Sequence, residues 1–499
     1  MTAFDNLYAC LRAGFRSRLD GPFLRLPDGA CLTYREVDEL SARVAGSLRA
    51  RGLVVGDRLV AQVGKSPLAV ALYLGCVRAG VVYVPLNEGY TDLEVDYFVG
   101  DARPRLVVAA PGRDVPHHGA EVLTLDHRGG GSLAALVATT APDHHLAPRA
   151  GQTASMLYTS GTTGKPKGAM LTTENLISNG ASLAELWGFG PDDVLLHALP
   201  IFHVHGLFVA LHCAMLRGSA VEFLPRFDLD LVRAALPHST VLMGVPTYYS
   251  RLLGATDFTR EECASMRLFI SGSAPLTESM HQAFEARTGH RILERYGMTE
   301  TGMITSNPLD GERIAGTVGY PLPDVSVRVV DDAGAPLPAG EIGVVEVAGP
   351  NVFTGYWGMP DKTAASFRPD GFFVTGDLGT LAADGRLTLS GRGTDLIISG
   401  GLNIYPKEIE LLIDDVAGVV ESAVVGVPHP DLGDGVIAVV VAEPGFDAAT
   451  IRTALDGRLA RFKHPKHVAV VDDLPRNAMG KVEKAVLRAR YAEQFAAGG

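Results

Sequence analysis

The sequence contains few cysteines, few tryptophans and no excess of positive charge. Its 499 residues include five cysteines and two tryptophans, and 44 Lys plus Arg stand against 56 Asp plus Glu for a net charge of −12. The cysteines are odd in number and form no Cys-x-x-Cys pair, which excludes a disulfide framework and a cysteine zinc site; they are Cys10, Cys31, Cys76, Cys213 and Cys263. We therefore expect a reducing compartment, the cytoplasm.

The charge balance and the apolar pattern exclude two further classes. A general nucleic-acid surface needs clustered Lys and Arg to neutralise phosphates, which an acidic chain does not favour. The most apolar stretch, residues 68–86, is interrupted by Arg78 and Gly80 and is too broken to span a bilayer. Residues 1–19 carry several charges and are typical of an amphipathic helix, not of a signal peptide. We expect neither a nucleic-acid nor a membrane partner.

Apolar residues are abundant and patterned. They make up 47% of the chain, enough for large buried cores, and the length corresponds to about two to four domains. Strand-length apolar runs alternate with helix-like stretches through much of the first 390 residues, as in 58–63, 67–78 and 81–85. This alternation favours layered α/β sheets.

Three regions depart from that alternation. Residues 318–348 contain short alternating strands between turn signals and predict a β-rich subdomain. Residues 111–152 are rich in Pro, Gly and His, and we expect mainly long surface loops there. After Gly391 the pattern predicts a compact α+β domain, with helices at 406–416, 448–459 and 481–491 and strands at 419–427, 435–442 and 467–471.

The C-terminal part is basic although the chain is acidic. Residues 457–490 contain nine Lys plus Arg against three Asp plus Glu, a local charge of +6. This segment predicts contact with an anion, although a solvated basic face explains it equally well.

The sharpest local motif is residues 158–168, which follow the strand-like residues 154–157. Small hydroxyl residues and glycines after a strand expose backbone N–H groups, and two lysines add positive charge, so the motif predicts polyphosphate binding. It is not a Walker A loop, because it is too short and Pro166 occupies the Ser/Thr position. The alternative is a polar turn. The candidate phosphate-binding residues are Thr159, Ser160, Gly161, Thr162, Thr163, Gly164, Lys165 and Lys167.

Together with six further motifs, this loop resembles the ordered motif set of the acyl-adenylating superfamily. The six are residues 294–300, Tyr356-Trp357, Thr375-Gly-Asp377, residues 391–397, residues 400–406 and residues 475–481. The resemblance covers essentially the whole chain. It implies an α/β fold with a large N-terminal adenylating domain (residues 1–391), which includes a β-barrel-like subdomain. A small mobile α+β domain (residues 392–499) would follow a hinge at residues 391–395.

The resemblance also implies roles in ATP binding. Asp377 would accept the ribose hydroxyls, Tyr296 would stack on adenine, Thr299 would contact the α-phosphate, and Glu300 would bind Mg²⁺, which prefers hard oxygen ligands. Without the resemblance, an isolated Asp in a turn is ordinarily a cap. Further implied ATP or AMP contacts are Ser273, Ala274, Glu294, Arg295, Arg392 and Lys481.

Lys481 is the implied catalytic residue of the first half-reaction. A carboxylate that attacks the α-phosphate brings two anions together, so a cation that meets the developing charge stabilises the transition state. A lone Lys near a C-terminus is ordinarily a solvated charge. The motif also resembles an acetylation target of bacterial relatives, so a lysine acetyltransferase acting on Lys481 is a hypothesis.

The second half-reaction needs access for the thiol of CoA. By resemblance, rotation of the small domain replaces Lys481 by the loop of Gly400 and Gly401, which leaves room for pantetheine. Arg461 and Lys463 are candidates for the CoA phosphates. Thr394 departs from the Lys or Asp common at the hinge of relatives.

Segments at residues 199–206, 244–251, 270–275 and 300–306 resemble the malonyl-CoA synthetase group of the superfamily. In that group the equivalents of Arg251, His205 and Ser273 receive the carboxylate that is not activated. A buried second carboxylate needs such a cation and donors. The alternatives are a helix-surface arginine and a satisfied core histidine. Val204 and Met303 are expected to border C2 of the acid.

The resulting expectation is a ligase that converts malonate, ATP and CoA into malonyl-CoA, AMP and pyrophosphate through a malonyl-adenylate, with Mg²⁺ as cofactor. A CoA ligase for methylmalonate or another small carboxylic acid is the nearest alternative. An adenylation domain that serves a carrier protein and a non-catalytic nucleotide sensor are the others.

Overall fold

The computed structural model describes residues 6–147, 152–159, 166–400, 402–477 and 480–495. Six residues of the predicted phosphate loop, Ser160, Gly161, Thr162, Thr163, Gly164 and Lys165, lie outside the described residues. Gly401 also lies outside them.

Two sheets form the centre of the N-terminal part. In spatial order the larger sheet contains nine strands: Tyr320–Pro321, Gly302–Ser306, Leu293–Met298, Leu268–Ser271, Val241–Gly244, Val194–His197, Ala220–Phe223, Pro22–Arg25 and Cys31–Thr33. The other contains six: Glu121–Thr124, Leu106–Ala109, Arg58–Gln62, Val82–Pro85, Thr153–Thr159 and Lys167–Thr172. The middle strands of both pair in parallel and are buried on both faces, which explains their continuous apolar runs.

Helices connect and cover these strands. The α-helices are Leu7–Phe15, Tyr34–Ala50, Pro67–Ala79, Asp92–Ala102, Ser132–Thr139, Thr173–Leu186, Leu211–Arg217, Leu229–Ala235, Pro246–Gly254, Glu278–Thr288 and Pro360–Ala364, and a π-helix spans His205–Ala210. Local signals account for their ends. The Pro67–Ala79 helix begins after Ser66, whose side chain accepts from the N–H of Ala69, and ends at Gly80 with φ of 80°.

The predicted β-rich subdomain is an antiparallel meander of four strands: Ser326–Val330, Gly343–Ala348, Phe373–Leu381 and Leu387–Arg392. Gly334 and Gly340 have φ of 88°, which a left-handed turn position requires. The last two strands carry Asp377 and Arg392, which pair in register.

The C-terminal part is a separate α+β unit. Its sheet has the order Leu402–Ile404, Ile397–Ser399, Gly433–Ala442 and Val419–His429, with His467–Val471 parallel to Gly433–Ala442. Its helices are Pro406–Asp414, Ala449–Leu455 and Lys484–Arg490. The hairpin at residues 397–404 was not predicted. The α/β class with a large first domain and a small second domain is confirmed.

Apolar packing divides the chain near the proposed hinge. The two clusters of the N-terminal part contain no described residue beyond Leu389, whereas the two C-terminal clusters begin at Ile397. The intervening residues include Gly391, whose φ is 126°, and a short 3₁₀ turn at Gly393–Asp395. The boundary at residue 391 and the hinge at residues 391–395 stay predictions, consistent with this division.

The prediction for residues 111–152 was wrong in part. A strand, Glu121–Thr124, and a helix, Ser132–Thr139, occupy the middle of that region. Leu133 and Val137 lie one turn apart and are buried, so a short apolar face outweighs the surrounding turn signals.

Among the described residues, no helix has both the length and the apolar content that crossing a membrane requires.

Candidate functional site

The strand Leu293–Met298 divides the site into two faces. It lies in the larger sheet between Leu268–Ser271, with which it is parallel, and Gly302–Ser306, with which it is antiparallel. Successive side chains of a strand point to opposite faces. Tyr296 contacts Asp377 on one face, and Arg295 lies against Gly272 on the other. We call these the Tyr296 face and the Arg295 face.

Asp377 is the centre of the Tyr296 face. It is 7% exposed, accepts a 2.5 Å hydrogen bond from the Tyr296 hydroxyl, and forms an ion pair with Nε of Arg392 at 2.9 Å. Its backbone N–H donates to the Thr375 hydroxyl at 3.0 Å, and Gly376 turns the chain with φ of 74°. Each carboxylate oxygen has a protein partner and retains acceptor capacity for a ribose hydroxyl.

Glu300 follows the same strand and is also buried. The Tyr356 hydroxyl donates to its carboxylate at 3.0 Å, and Nζ of Lys167 lies 4.9 Å from the centre of the Tyr356 ring. Burial and the charge of Lys362 lower the pKa of Lys167, while Glu300 opposes them. Tyr356 lay in a motif without an assigned role, and the structure shows that it orients Glu300.

A magnesium ion fits Glu300 in chemistry and number. No group of three or more metal-ligating side chains occurs in the part of the chain that the structure describes. A buried carboxylate beside a phosphate loop suits Mg²⁺, which takes few protein ligands and completes its shell with phosphate oxygens and water.

The described ends of the phosphate loop are anchored by tyrosines. The Tyr97 hydroxyl donates to the carbonyl of Pro166 at 2.7 Å, and the Tyr158 hydroxyl donates to Asp101 at 2.6 Å. Thr159 ends its strand, and Thr299 is half-buried immediately before Glu300. These anchors fix where the loop leaves and re-enters the sheet.

Glu294 lies on the same strand with an isolated carboxyl group. One oxygen accepts from the Leu276 N–H at 3.2 Å, and the other has no partner among the described residues. Burial raises the pKa of Glu294 to about 7, while the Leu276 N–H and the charges of Lys407 and Arg295 act against that rise. Through Leu276, Glu294 contacts the chain just after Ser273 and Ala274.

His205 and Ser273 meet on the Arg295 face. The Ser273 hydroxyl lies 3.3 Å from Nδ1 of His205, and Ser273 has φ of 70°, unusual for a residue with a side chain. The backbone N–H of His205 donates to Nδ1 of His203 at 3.3 Å. Nε2 of His205 is buried without a described partner, and burial holds its pKa well below the ordinary value, so the ring is neutral at pH 7.

Arg295 lies beside these groups. It is 3% exposed, and its Nε and Nη2 have no hydrogen-bond partner among the described residues. A Cβ at Gly272 would lie 2.4 Å from the guanidinium carbon, so only glycine admits this packing. Burial lowers the pKa of Arg295 to about 9. The sequence grouped Arg295 with the nucleotide residues, but it faces away from Tyr296.

The other predicted acid-binding residues are spread more widely. Arg251 is exposed on the Pro246–Gly254 helix, with its guanidinium 5.6 Å from the Phe227 ring. Val204 and Met303 are buried, and the backbone of Met303 is held on both sides by the Asn179 side chain at 2.8 and 2.9 Å. The structure thus joins His205 to Ser273 and leaves Arg251 at the surface.

Lys481 reaches the Tyr296 face from the C-terminal part. Gly480, with φ of 74°, lies against Thr247, whose hydroxyl would be 3.4 Å from a Cβ at this position, an ordinary contact distance. Lys481 keeps solvent contact in a cleft, where removal from bulk water and the charge of Arg392 lower its pKa, against Asp377 and Asp395. These interactions bring together residues more than 100 positions apart.

The residues predicted to bind CoA differ in whether they form ion pairs. Gly400 has φ of 59° and is exposed. Arg461 is exposed and forms no ion pair with a described residue, whereas Lys463 is held by both oxygens of Glu408 at 2.7 Å. The basic segment is largely neutralised within its own domain and hinge by the pairs Arg458–Asp415, Lys463–Glu408, Arg476–Glu421, Lys484–Glu410 and Arg488–Asp395.

Comparison with known proteins gives the same assignment for both domains. The model of the AMP-binding enzyme family matches residues 15–357, and that of the AMP-binding enzyme C-terminal domain matches residues 408–481. A mitochondrial malonate–CoA ligase of Mus musculus is 34% identical over 91% of this chain and 86% of its own. A sulfoacetate–CoA ligase of Cupriavidus necator is 35% identical over 97% of both chains.

Two solved structures resemble this chain over almost its whole length. ATP-bound MatB from Rhodopseudomonas palustris has a TM-score of 0.96 at 51% identity, over 99% of this chain and 100% of that one. Apo MatB from the same organism has a TM-score of 0.86 at the same identity and coverage. The chain therefore belongs to the AMP-binding enzyme family and is an AMP-forming acyl-CoA ligase.

Proposed function

We propose that this chain is a malonyl-CoA synthetase, which converts malonate, ATP and CoA into malonyl-CoA, AMP and pyrophosphate through a malonyl-adenylate. The observation that carries the proposal is the set of unpaired buried donors on the Arg295 face, namely Nε2 of His205 and Nε and Nη2 of Arg295. Buried donors without partners cost free energy, so such a set favours an anionic ligand. A malonate–CoA ligase among the relatives supports this choice.

The first step would take place on the Tyr296 face. Asp377 would hold the ribose, Tyr296 would cover adenine, and Thr299 with the loop at residues 159–167 would contact phosphate. Lys481 would stabilise the negative charge that develops as malonate attacks the α-phosphate and pyrophosphate leaves. Glu300 would hold Mg²⁺, which would neutralise phosphate charge when bound.

The second step would follow a rotation of the C-terminal domain about residues 391–395. Lys481 would leave the cleft, and the loop of Gly400 and Gly401 would admit pantetheine, whose thiol attacks the acyl-adenylate and releases AMP. The TM-scores of 0.96 and 0.86 to two structures of one MatB are consistent with more than one domain arrangement in that protein. Arg461 is a better candidate than the paired Lys463 for a CoA phosphate.

A CoA ligase for a related dianion is the second candidate. The sulfoacetate–CoA ligase of Cupriavidus necator aligns over nearly the whole chain, and a sulfonate would accept from the same unpaired donors. Methylmalonate would also fit if Val204 and Met303 leave room at C2.

The deciding experiment is CoA-dependent AMP formation with malonate, methylmalonate, sulfoacetate, succinate, acetate and octanoate. We expect malonate to give the highest kcat/KM, and Arg251→Ala to lower the value for malonate but not for acetate. A higher kcat/KM for acetate or octanoate than for malonate would refute the dicarboxylate assignment. A higher value for sulfoacetate would establish the second candidate instead.

Two further proposals concern the cellular setting. All five cysteines are free, which is consistent with the proposed cytoplasmic location. Acetylation of Lys481 stays a hypothesis that rests on the motif alone; an unchanged adenylation rate after treatment with an acetyltransferase and acetyl-CoA would remove it.

A further inference from the structure

The Arg295 face contains a buried arginine that forms no ion pair within 4 Å and whose Nε and Nη2 have no hydrogen-bond partner among the described residues. We propose that Arg295 binds the carboxylate of the acid that is not activated, and that it is the specificity-determining cation for a dicarboxylate. This inference rests on the proposed function and deepens it. It assigns to Arg295, and not to Arg251 alone, the charge that selects malonate over a monocarboxylate.

The absence of a partner is unusual for this side chain. Most arginines of the chain are paired, and Arg267, at the start of the neighbouring strand, forms two bonds of 2.7 and 2.8 Å with Asp193. Arg295 is more deeply buried than Arg267, yet two of its nitrogens have no described acceptor. A guanidinium is a rigid fork of donors that matches a carboxylate in two-point contact. The missing group is therefore an anion of that shape.

A second buried basic side chain, Lys65, holds the turn that carries His205. Lys65 is buried, and its Nζ donates to Nδ1 and to the carbonyl of His197 at 2.7 and 2.8 Å, with no carboxylate bound to it among the described residues. His197 in turn bonds through Nε2 to the carbonyl of Gly206 at 2.9 Å, next to His205. Lys65 thus fixes the turn that carries His205, and burial holds the pKa of Lys65 well below its ordinary value.

Other titratable groups around Arg295 do not supply the anion. The Tyr249 hydroxyl donates to the carbonyl of Ile270 at 2.7 Å and stays protonated, because burial raises its pKa. Glu294, the preceding residue of the strand, interacts electrostatically with Arg295 but forms no hydrogen bond with it and accepts instead from the Leu276 N–H. His203 and His205 are neutral, since burial lowers both of their pKa values.

Position along the strand gives Arg295 the right place for this role. The next residue, Tyr296, touches Asp377, so Arg295 adjoins the proposed nucleotide site along the same strand. Malonate carries two carboxylates on one carbon, and one must reach the α-phosphate while the other remains on the acyl side. Arg251 is exposed to solvent, which screens its charge, whereas a charge as buried as that of Arg295 acts in a low dielectric.

The test compares three variants. Arg295→Met removes the charge and keeps the length, Arg295→Lys keeps a charge without the fork, and Arg267→Met removes a paired arginine as a matched control. For each, kcat/KM is measured with malonate and with propionate, which has the same carbon count and one carboxylate. Thermal melting is measured with and without malonate in the presence of a non-hydrolysable ATP analogue.

We expect Arg295→Met to lower kcat/KM for malonate by about 100-fold or more and to change that for propionate by less than about 3-fold. Its melting temperature without ligand should equal or exceed that of the wild type, because an unpaired buried charge is removed. The rise in melting temperature on adding malonate should disappear. Arg295→Lys should keep part of the preference for malonate.

Other outcomes separate the inference from the proposed function. Equal losses for malonate and propionate in Arg295→Met, or a melting temperature lowered as in Arg267→Met, overturn the inference and leave malonyl-CoA synthesis in place. A preference of the wild type for propionate refutes both. If Arg295→Met does not fold, full retention of the melting response and the malonate preference by Arg295→Gln overturns the inference.

Discussion

The two faces of the strand Leu293–Met298 differ in how their charges are balanced. On the Tyr296 face, Asp377 has Arg392 and Tyr296 as partners, and Glu300 has Tyr356. On the Arg295 face, Nε and Nη2 of Arg295 and Nε2 of His205 have no hydrogen-bond partner among the described residues. Paired charges hold a surface in shape before a ligand arrives, whereas unpaired ones gain most of their stabilisation from the ligand. The Tyr296 face is thus held in shape by its own pairs, whereas the Arg295 face would gain its stabilisation from the proposed acid.

The largest effect is expected from Lys481→Ala, which removes the charge that the second domain brings to the Tyr296 face. Malonate-dependent pyrophosphate release should fall by about 1,000-fold, because charge stabilisation at the transition state is lost. The control is CoA-dependent AMP release from preformed malonyl-adenylate, which should change by less than about 3-fold. An equal loss in both assays would show that Lys481 does not act in the first step alone.

Asp377→Asn removes the negative charge that pairs with Arg392 on the Tyr296 face. Tyr296 keeps an acceptor, but Arg392 loses its anion and the ribose loses charged acceptors, so KM for ATP should rise by about 100-fold. Stability should fall by about 1 to 2 kcal/mol, since Arg392 is only partly buried. Urea denaturation and initial rates at varied ATP test both. If Arg295→Met destabilises the chain as much as Asp377→Asn does, the contrast between the faces is refuted.

The buried carboxyl group of Glu294 should make the stability of the folded chain depend on pH. Its pKa is about 7 in the folded chain, because of burial, and about 4.3 when unfolded. The folded state therefore binds the proton more tightly, and this stabilisation is full below about pH 4.3 and disappears as the pH rises through 7. Between pH 5 and 8 the wild type should lose about 2 to 3 kcal/mol more stability than Glu294→Gln. Parallel stability curves in urea would show that burial does not perturb Glu294.

The smallest effect is expected in the C-terminal domain, where an unpaired arginine can be compared with a paired lysine. Arg461→Ala should raise KM for CoA by about 3- to 10-fold, since this charge is exposed and unpaired, while Lys463→Ala should change it by less than about 2-fold. Initial rates at varied CoA measure both, with KM for ATP as the control. A larger effect for Lys463 would show that its pair with Glu408 opens when CoA binds.

Much of the fold could be predicted from local patterns. The apolar runs at residues 58–63, 194–199 and 241–245 became strands with ends shifted by one or two residues. The pairing of Ile397–Ser399 with Leu402–Ile404 was missed because the segment that contains Gly400 was assigned to a loop. The short helix Ser132–Thr139 was missed because turn signals surround it.

The site was predictable as a set of residues but not as an arrangement. Motif order predicted roles for Asp377, Glu300 and Lys481, yet nothing in the motif Glu294-Arg-Tyr-Gly-Met-Thr-Glu300 separates Tyr296, which contacts Asp377, from Arg295, which lies against Gly272. Alternation along a strand does so only when the strand is known. Likewise the local charge of +6 indicated a free basic surface, and the structure pairs five of its nine cations with carboxylates elsewhere in the chain.

The amino-acid sequence by itself determined the domain order, the α/β class and the chemical types of the residues available, because periodicity and motif spacing are local properties. Only the tertiary structure decided which charges are satisfied. Whether an arginine has a partner depends on residues outside its own motif, such as Asp377 on the neighbouring strand for Arg392. Burial sets the free-energy cost of leaving it without one.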